Sequence, residues 1–545
     1  MYTAHVDTFA RDNLPSRDSW PEVIFELPEI RYPDRLNAAG SLLDDMAAGE
    51  GGDRPCVHTD DGVWSYRELL ERANRVARVL TEDMGLVPGN RVLLRAANTP
   101  MLIATWFGVL KAGGVAVATM PLLRTRELGK IIDKARITHA LTDARLARDL
   151  EAARASQPVL QNVVTFGPGG ELEGRMGEKA SGFETVETAA EDVAIIAFTS
   201  GTTGEPKGCV HFHRDLLAVC DTFGERVLDA QPDEVFTGTP PLAFTYGLGG
   251  YTLFPMRVGA STLPIEQPEP DALLEAIEQR EVTTIFTAPT AYRSLLDRIG
   301  EIEASSLRKC VSAGEALPTA TSDAWFEKTG LRIIDGIGST EMLHIFISAA
   351  GDGIRPGSTG KPVPGYAAMI AGEDMRPLPP GEVGKLAVKG PTGCRYLADT
   401  RQADYVVDGW NITGDSYSVD EDGYFWFQAR TDDMIISSGY NISGPEVEAA
   451  LAGHQAVGEC AVIASPDEER GSVVKAFVVL REGAAGGPEL IEELQDFAKE
   501  RIAPYKYPRR IEFVGELPKT QTGKIQRFLL REREKEGGAA QESVF

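Results

Sequence analysis

The sequence predicts a mixed α/β fold: a large N-terminal domain of parallel-rich sheets with flanking helices and a β-rich subdomain, followed by a small α+β C-terminal domain. Three observations predict it. Short apolar strands alternate with helical patches up to about residue 340, the rhythm of a largely parallel sheet with helices on its faces. Between 350 and 430 the texture changes to short strands with Gly/Pro turns, and after Arg430-Thr431-Asp432-Asp433 a compact α+β pattern runs to the end. A chain of 545 residues also exceeds what one hydrophobic core usually serves, so domains are expected at 1–430 and 431–545.

The elements follow in order. Residues 1 to about 55 are irregular and Pro-rich, apart from a helical patch near Ala38–Ala48. Ser65 followed by Glu68 is a capping box that opens an amphipathic helix. Arg91–Leu94 reads as a strand, Pro100–Leu110 as a helix and Gly114–Ala118 as a strand. Helices at Glu127–Ala135 and Ala144–Ala155 then alternate with strands at Thr138–Ala140 and Asn162–Thr165. Val193–Phe198 has the length and β-branched content of a buried strand. Beyond it come a helix near His213–Val227, a strand at Val235–Thr237, a helix at Asp271–Arg280 and a strand at Thr284–Thr287. Gly365–Ile370 and Gly384–Val388 are the short strands of the β-rich region. The C-terminal pattern is a helix at Glu446–Leu451, strands at Glu459–Ala464 and Lys475–Leu480, a helix at Glu489–Glu500, and a tail frayed beyond Arg533.

Composition narrows the function. Apolar residues at 43% and charged residues at 25% are ordinary for a soluble globular protein. A net charge of −26 argues against nucleic acid or an anionic membrane surface as the general partner, so any site for anionic substrates has to be locally basic. Six cysteines without CxxC spacing read as reduced, packed thiols, and the chain lacks a secretory signal pattern, which points to the cytoplasm. The apolar stretch from Met101 to Leu123 is interrupted by Lys111, Gly113 and Gly114 and reads as helix plus strand, with no membrane span. His211-Phe212-His213 reads as alternation on a strand or turn, because no cysteine or carboxylate cluster completes a metal-ligand set.

The stretch that organises the chain is Thr199-Ser200-Gly201-Thr202-Thr203-Gly204-Glu205-Pro206-Lys207-Gly208, directly after the buried strand. Glycines let backbone N–H groups turn toward an anion, hydroxyls add donors, and Lys207 adds a point charge. It is a phosphate cradle, and its spacing is not that of a P-loop. This loop resembles, almost letter for letter, the signature of the adenylate-forming (AMP-binding) superfamily of acyl- and aryl-CoA ligases, peptide-synthetase adenylation domains and luciferases.

That resemblance covers most of the chain and implies further roles. Ser312-Ala313-Gly314-Glu315-Ala316 looks like the adenine-lining turn, so Gly314, Glu315 and Ala316 are expected at ATP. Asp335-Gly336-Ile337-Gly338-Ser339-Thr340-Glu341 resembles the motif in which Thr340 donates to the α-phosphate and Glu341 is a hard oxygen ligand for Mg²⁺, with Asp335 and Gly336 also at the nucleotide. Thr413-Gly414-Asp415 and Arg430 resemble the ribose site. Lys524, in Lys519-Thr520-Gln521-Thr522-Gly523-Lys524, matches the lysine that completes adenylation. Asp432 matches the hinge about which a mobile C-terminal lid rotates to present Ser438, Gly439 and Tyr440 to the pantetheine of CoA. Lys506 and Arg509 offer positive charge for CoA phosphates, with a solvated basic patch as the alternative reading.

The implied activity is ATP-dependent ligation of an acid to coenzyme A through an acyl adenylate, with ATP, Mg²⁺ and CoA as the cofactors. Phe244-Thr245-Tyr246 beside a run of glycines suits a planar ring. The segment Gly338 to Phe346, including His344 and Ile345, looks like the benzoate-CoA ligase subgroup in particular. Thr245 stands where benzoate ligases often carry Ala, and its hydroxyl suits an ortho substituent. That makes 2-aminobenzoate the first expected substrate, with benzoate and hydroxybenzoates next. Other acids, loading of a carrier-protein thiol, and a non-catalytic nucleotide-binding scaffold are the competing readings. The expected partners are the aromatic acid, ATP and CoA, with a homodimer as the one assembly considered.

Overall fold

A computed structural model describes residues 2–199, 205–301, 306–430, 433–437, 440–467, 470–502, 504–519, 523 and 525–542. The chain divides into two compact units, residues 1–368 with 388–412 and residues 369–387 with 413–545. The sequence boundary at 430/431 differs from this division, which groups 369–387 and 413–430 with the C-terminal residues. The chain passes from one unit to the other within strands Ala367–Ala371, Gly384–Lys389 and Trp410–Val419.

The first unit holds two large sheets. One runs, in spatial order, Asn162–Phe166, His139–Asp143, Arg91–Arg95, Val115–Thr119, Val193–Thr199, Lys207–Phe212. Its first five strands are parallel and the last is antiparallel. Strands 91–95 and 139–143 are buried along their whole length, as a parallel sheet covered on both faces requires. The other sheet has nine strands, and its parallel interior includes Ile333–Gly338, Lys309–Ala313, Thr284–Thr287 and Val235–Gly238. Helices with one apolar face pack against these sheets. Tyr66–Arg78 begins at the predicted capping box, with Ser65 accepting from Glu68 N and the Glu68 carboxylate from Ser65 N at 2.7 Å.

The second unit carries an antiparallel pair, Val457–Asp467 and Gly471–Leu480, extended in parallel by Arg510–Phe513. Helices Gly444–Ala452 and Pro488–Arg501 pack over an aliphatic cluster that includes Val447, Val462, Val474, Val478 and Leu494.

The strand-or-turn reading around His211 and Phe212 resolves to a strand, Lys207–Phe212, paired back on Val193–Thr199 with Thr199 opposite Lys207, while one expectation changes. The tail is helical over Arg527–Glu542. Its inner face explains this: Leu530 is buried beside Phe477 and Leu517, Arg527 pairs with Glu448 at 2.7 Å, and Glu534 accepts from Lys475 at 2.5 Å.

Strand 207–212 is anchored by a buried ion pair. Asp215, in the first turn of helix His213–Val219, accepts from Arg395 Nη1 at 3.0 Å and from Phe212 N at 3.1 Å, and both charged side chains are fully buried. Burial opposes ionisation of the Asp215 carboxyl, yet the Arg395 charge prevails and holds it down at about 2. Asp215→Ala leaves the guanidinium buried without its counterion, at an expected cost of about 3–5 kcal/mol in urea denaturation.

Candidate functional site

Four neighbouring parallel strands end together: Gly238, Thr287, Ala313 and Gly338 are the last residues of strands 235–238, 284–287, 309–313 and 333–338. The segments after three of them carry Phe244–Tyr246, Gly314–Ala316 and Ser339–His344, at the edge where ligands gather in open α/β sheets. Gly314, at φ +92°, turns the chain out of strand 309–313, with Glu315 and Ala316 following. Asp335 and Gly336 pair with Ser312 and Ala313. Strand 333–338 then turns back into Ile345–Ser348, with Gly338 opposite Ile345. A side chain on Gly338 would meet the His344 carbonyl at 2.7 Å, and one on Gly336 would meet Ile345 Cγ2 at 2.7 Å, so both glycines serve this tight return.

The connection carries Ser339, Thr340 and Glu341. Leu343 N donates to Thr340 O at 3.2 Å, and Leu343 itself sits at φ +72°, a left-handed conformation rare for a branched side chain. Ser339 Oγ accepts from Met342 N at 3.2 Å. Glu341 Oε1 accepts from Tyr396 Oη at 2.5 Å, and Tyr396 Oη accepts from Lys207 Nζ at 3.3 Å. The lysine of the phosphate loop and the carboxylate of the return turn are thus joined through one phenol. Thr340 O also accepts from His211 Nε2 at 2.7 Å. Sequence reasoning missed Tyr396 and His211, because neither lies in a glycine-rich motif.

Glu341 suits a hard cation that takes one or two carboxylates and completes its shell with phosphate oxygens. Among the described residues no three His, Cys, Asp or Glu side chains converge as a self-sufficient metal cage.

The aromatic part is built around His344. Its ring is 4.6 Å from Phe254 edge-on, 5.5 Å from Phe223, 5.6 Å from Tyr246 and 6.3 Å from Phe286. Burial pulls its pKa down to about 3, so it is a neutral ring at working pH, with Nε2 donating to Tyr246 O at 3.3 Å. Tyr246 Oη is 3.2 Å from both Thr287 O and Val311 O. Phe244 precedes a short helix, Thr245–Leu248, where the sequence suggests a glycine loop. These glycines admit protein neighbours: a Cβ on Gly249 would fall 2.3 Å from His344 Cδ2, and one on Gly250 would fall 2.6 Å from Phe286. Thr245 is buried and lines a small apolar cavity with Trp106, Ala118, Ala197, Leu242 and Ala243.

In the second unit, Asp415 and Arg430 face each other across paired strands with Arg430 Nη1 donating to Asp415 Oδ1 at 3.0 Å. Tyr440 lies on strand Tyr440–Ser443. Lys506 donates to both Glu446 oxygens at 2.8 and 2.7 Å, so its charge is already balanced in this structure, and Arg509 stacks 4.6 Å over Tyr507. Ser200, Gly201, Thr202, Thr203, Gly204, Asp432, Ser438, Gly439 and Lys524 lie outside the described residues.

Two polar atoms at the end of the parallel strands are buried without a hydrogen-bond partner among the described residues: Asp335 Oδ1 and Ser312 Oγ, on paired residues. Burial raises the Asp335 pKa from its usual 3.8 to about 8. A carboxyl with a raised folded pKa leaves folding undisturbed below its unfolded value and penalises it as pH climbs from there through about 8. Asp335→Asn removes that penalty, so the variant is expected to gain melting temperature over the wild type at pH 8 and to lose the gain near pH 4, as calorimetry at the two pH values would read.

The AMP-binding enzyme family matches residues 43–396, and the AMP-binding enzyme C-terminal domain matches residues 446–524. The benzoate–CoA ligase of Thauera aromatica is 37% identical over 517 residues, which span 92% of this chain and 97% of that protein. The crystal structure of the anthranilate CoA ligase AuaEII in complex with anthranoyl-AMP superposes with a TM-score of 0.87 at 35% identity, covering 93% of this chain and 99% of that one. A benzoate CoA ligase from Burkholderia xenovorans LB400 gives a TM-score of 0.82 at 33% identity, covering 91% and 100%. With its phosphate-loop lysine tied to the return-turn carboxylate beside an aromatic cluster, the chain belongs to the AMP-binding enzymes, as an AMP-forming acid–CoA ligase of the benzoate–CoA ligase subgroup.

Proposed function

We propose that this ligase activates an aromatic carboxylic acid, with 2-aminobenzoate its first substrate and benzoate next. The observation that carries the reading is the adjacency of two pieces on one hairpin: Thr340 and Glu341 in its turn, and His344 at its base inside a shell of Phe223, Tyr246, Phe254 and Phe286. A neutral imidazole among aromatic rings suits a flat apolar face, and Thr245 adds one hydroxyl in an otherwise apolar setting. The likeness to a ligase crystallised with anthranoyl-AMP favours an ortho-amino group.

The chemistry follows from the need to make a carboxylate electrophilic. Its oxygen attacks the α-phosphorus of ATP, pyrophosphate leaves, and the resulting aryl adenylate carries AMP as a competent leaving group. Lys207 and the phosphate loop hold the phosphates, Thr340 donates to the α-phosphate, and Glu341 would hold Mg²⁺, which would supply charge neutralisation for the pyrophosphate. Gly314, Glu315 and Ala316 line the adenine, with Asp335 and Gly336 on the neighbouring strand. Asp415, already oriented by Arg430, accepts from the ribose hydroxyls. Lys524 supplies the positive charge that completes adenylation, and rotation about Asp432 replaces it with Ser438–Tyr440 for attack by the CoA thiol.

Release of pyrophosphate across a panel of acids, with and without CoA, tests the reading. The expected order is substituted benzoates far above aliphatic acids, and a preference for medium-chain fatty acids would end it. Thr245→Ala is expected to lower kcat/KM for 2-aminobenzoate relative to benzoate by up to about tenfold, the worth of one hydrogen bond. Lys524→Ala is expected to slow adenylation by roughly 10²–10³ while leaving thioester formation from supplied aryl adenylate largely intact, because one oxyanion-directed charge is lost.

A further inference from the structure

Strand Lys207–Phe212 does more than close the phosphate hairpin. Side chains alternate along it, so Lys207, Cys209 and His211 share one face. The two polar residues on that face reach consecutive residues of the return turn: Lys207 contacts Glu341 through Tyr396, and His211 contacts the Thr340 carbonyl directly at 2.7 Å. That carbonyl already accepts from Leu343 N, in the turn that Leu343 completes at φ +72°. A single oxygen therefore takes two donors, and the second fixes a turn that includes a left-handed, non-glycine residue.

His211 is fully buried: its Nδ1 has no hydrogen-bond partner among the described residues and lies 3.8 Å from Asp215 Oδ2, and Asp215 is locked by Arg395 Nη1 at 3.0 Å and Phe212 N at 3.1 Å. Arg395 is sandwiched 4.4 Å from the Phe212 ring and 5.0 Å from Trp20. The ring has little freedom to shift, and donation to a carbonyl requires the proton on Nε2.

We propose that His211 is a positioning residue for adenylation: through the Thr340 carbonyl it sets Thr340 and Glu341 at a defined distance from Lys207, which begins its own strand. The inference rests on the nucleotide-site reading above, yet it makes a separate claim. If Thr340 meets the α-phosphate, a turn displaced by a fraction of an ångström slows the chemical step more than it weakens ATP binding.

The test compares His211→Phe, which keeps ring size and removes the donor, with His211→Gln, whose amide N–H reaches the place of Nε2. Acid-dependent ATP–pyrophosphate exchange, calorimetric ATP affinity, melting temperature and thioester formation from supplied aryl adenylate are measured for both. His211→Phe is expected to lose about 10–100-fold in the exchange kcat with ATP affinity and the thioester half-reaction near wild type, and His211→Gln to recover most of the loss. Wild-type exchange by His211→Phe would overturn the proposal, as would equal loss in both half-reactions. Should the phenylalanine variant fail to fold, the glutamine variant decides alone: folded and active it supports the proposal, folded and as slow as predicted for phenylalanine it overturns it. Absence of exchange in the wild-type protein would instead sink the adenylation reading itself.

Discussion

Arg395 and Asp215 are both removed from water, and neither charge could remain there without the other. Ions of this kind are costly to desolvate and strongly directional once paired, so their partner groups have little freedom to move. Here the pair joins helix 213–219 and strand 207–212 to the segment around residue 395. One residue further on is Tyr396, whose hydroxyl meets Glu341, and four residues before Asp215 is His211, whose ring meets Thr340. The polar centre of the first unit is therefore assembled on a buried electrostatic clamp, and the turn carrying Thr340 and Glu341 is held on two sides at once.

The aromatic cluster is organised by a different force. Its side chains are rings, and they pack edge-to-face and tilted around a histidine that burial keeps uncharged. Glycines at 249 and 250 let that ring cluster close, since a methyl group at either would overlap His344 or Phe286. A charged imidazole in the same place would need a counterion the cluster does not offer. The two groups share one hairpin: Thr340 and Glu341 lie in the turn between strands 333–338 and 345–348, and His344 directly precedes the second strand.

Much of this was legible before any coordinates. The alternation of strands and helices, the capping box at Ser65, the buried strand ending at Thr199 and the glycine-bearing segment from Asp335 to Glu341 all follow from local rules: period, capping chemistry and the conformational freedom of glycine. The pairing of Asp415 with Arg430 could also be anticipated from motif order. Less legible were the full extent of the strand at 207–212, read only around His211 as strand or turn, and the helix at 245–248, which the glycines disguised as a loop. The C-terminal helix was obscured because its charged residues look solvated until Glu448 and Lys475 are seen opposite them.

By itself, then, the sequence determined the class of fold, the order of its elements and the residue types available to a nucleotide, because those depend on neighbours a few positions apart. Only the tertiary structure decided that Tyr396 bridges Lys207 to Glu341, that His211 braces Thr340, that His344 is neutral, and that Asp335 holds its proton. Each of those depends on groups far apart along the chain, or on how completely water is excluded around them. Side-chain contact and desolvation are properties of the packed chain, and no local pattern encodes them.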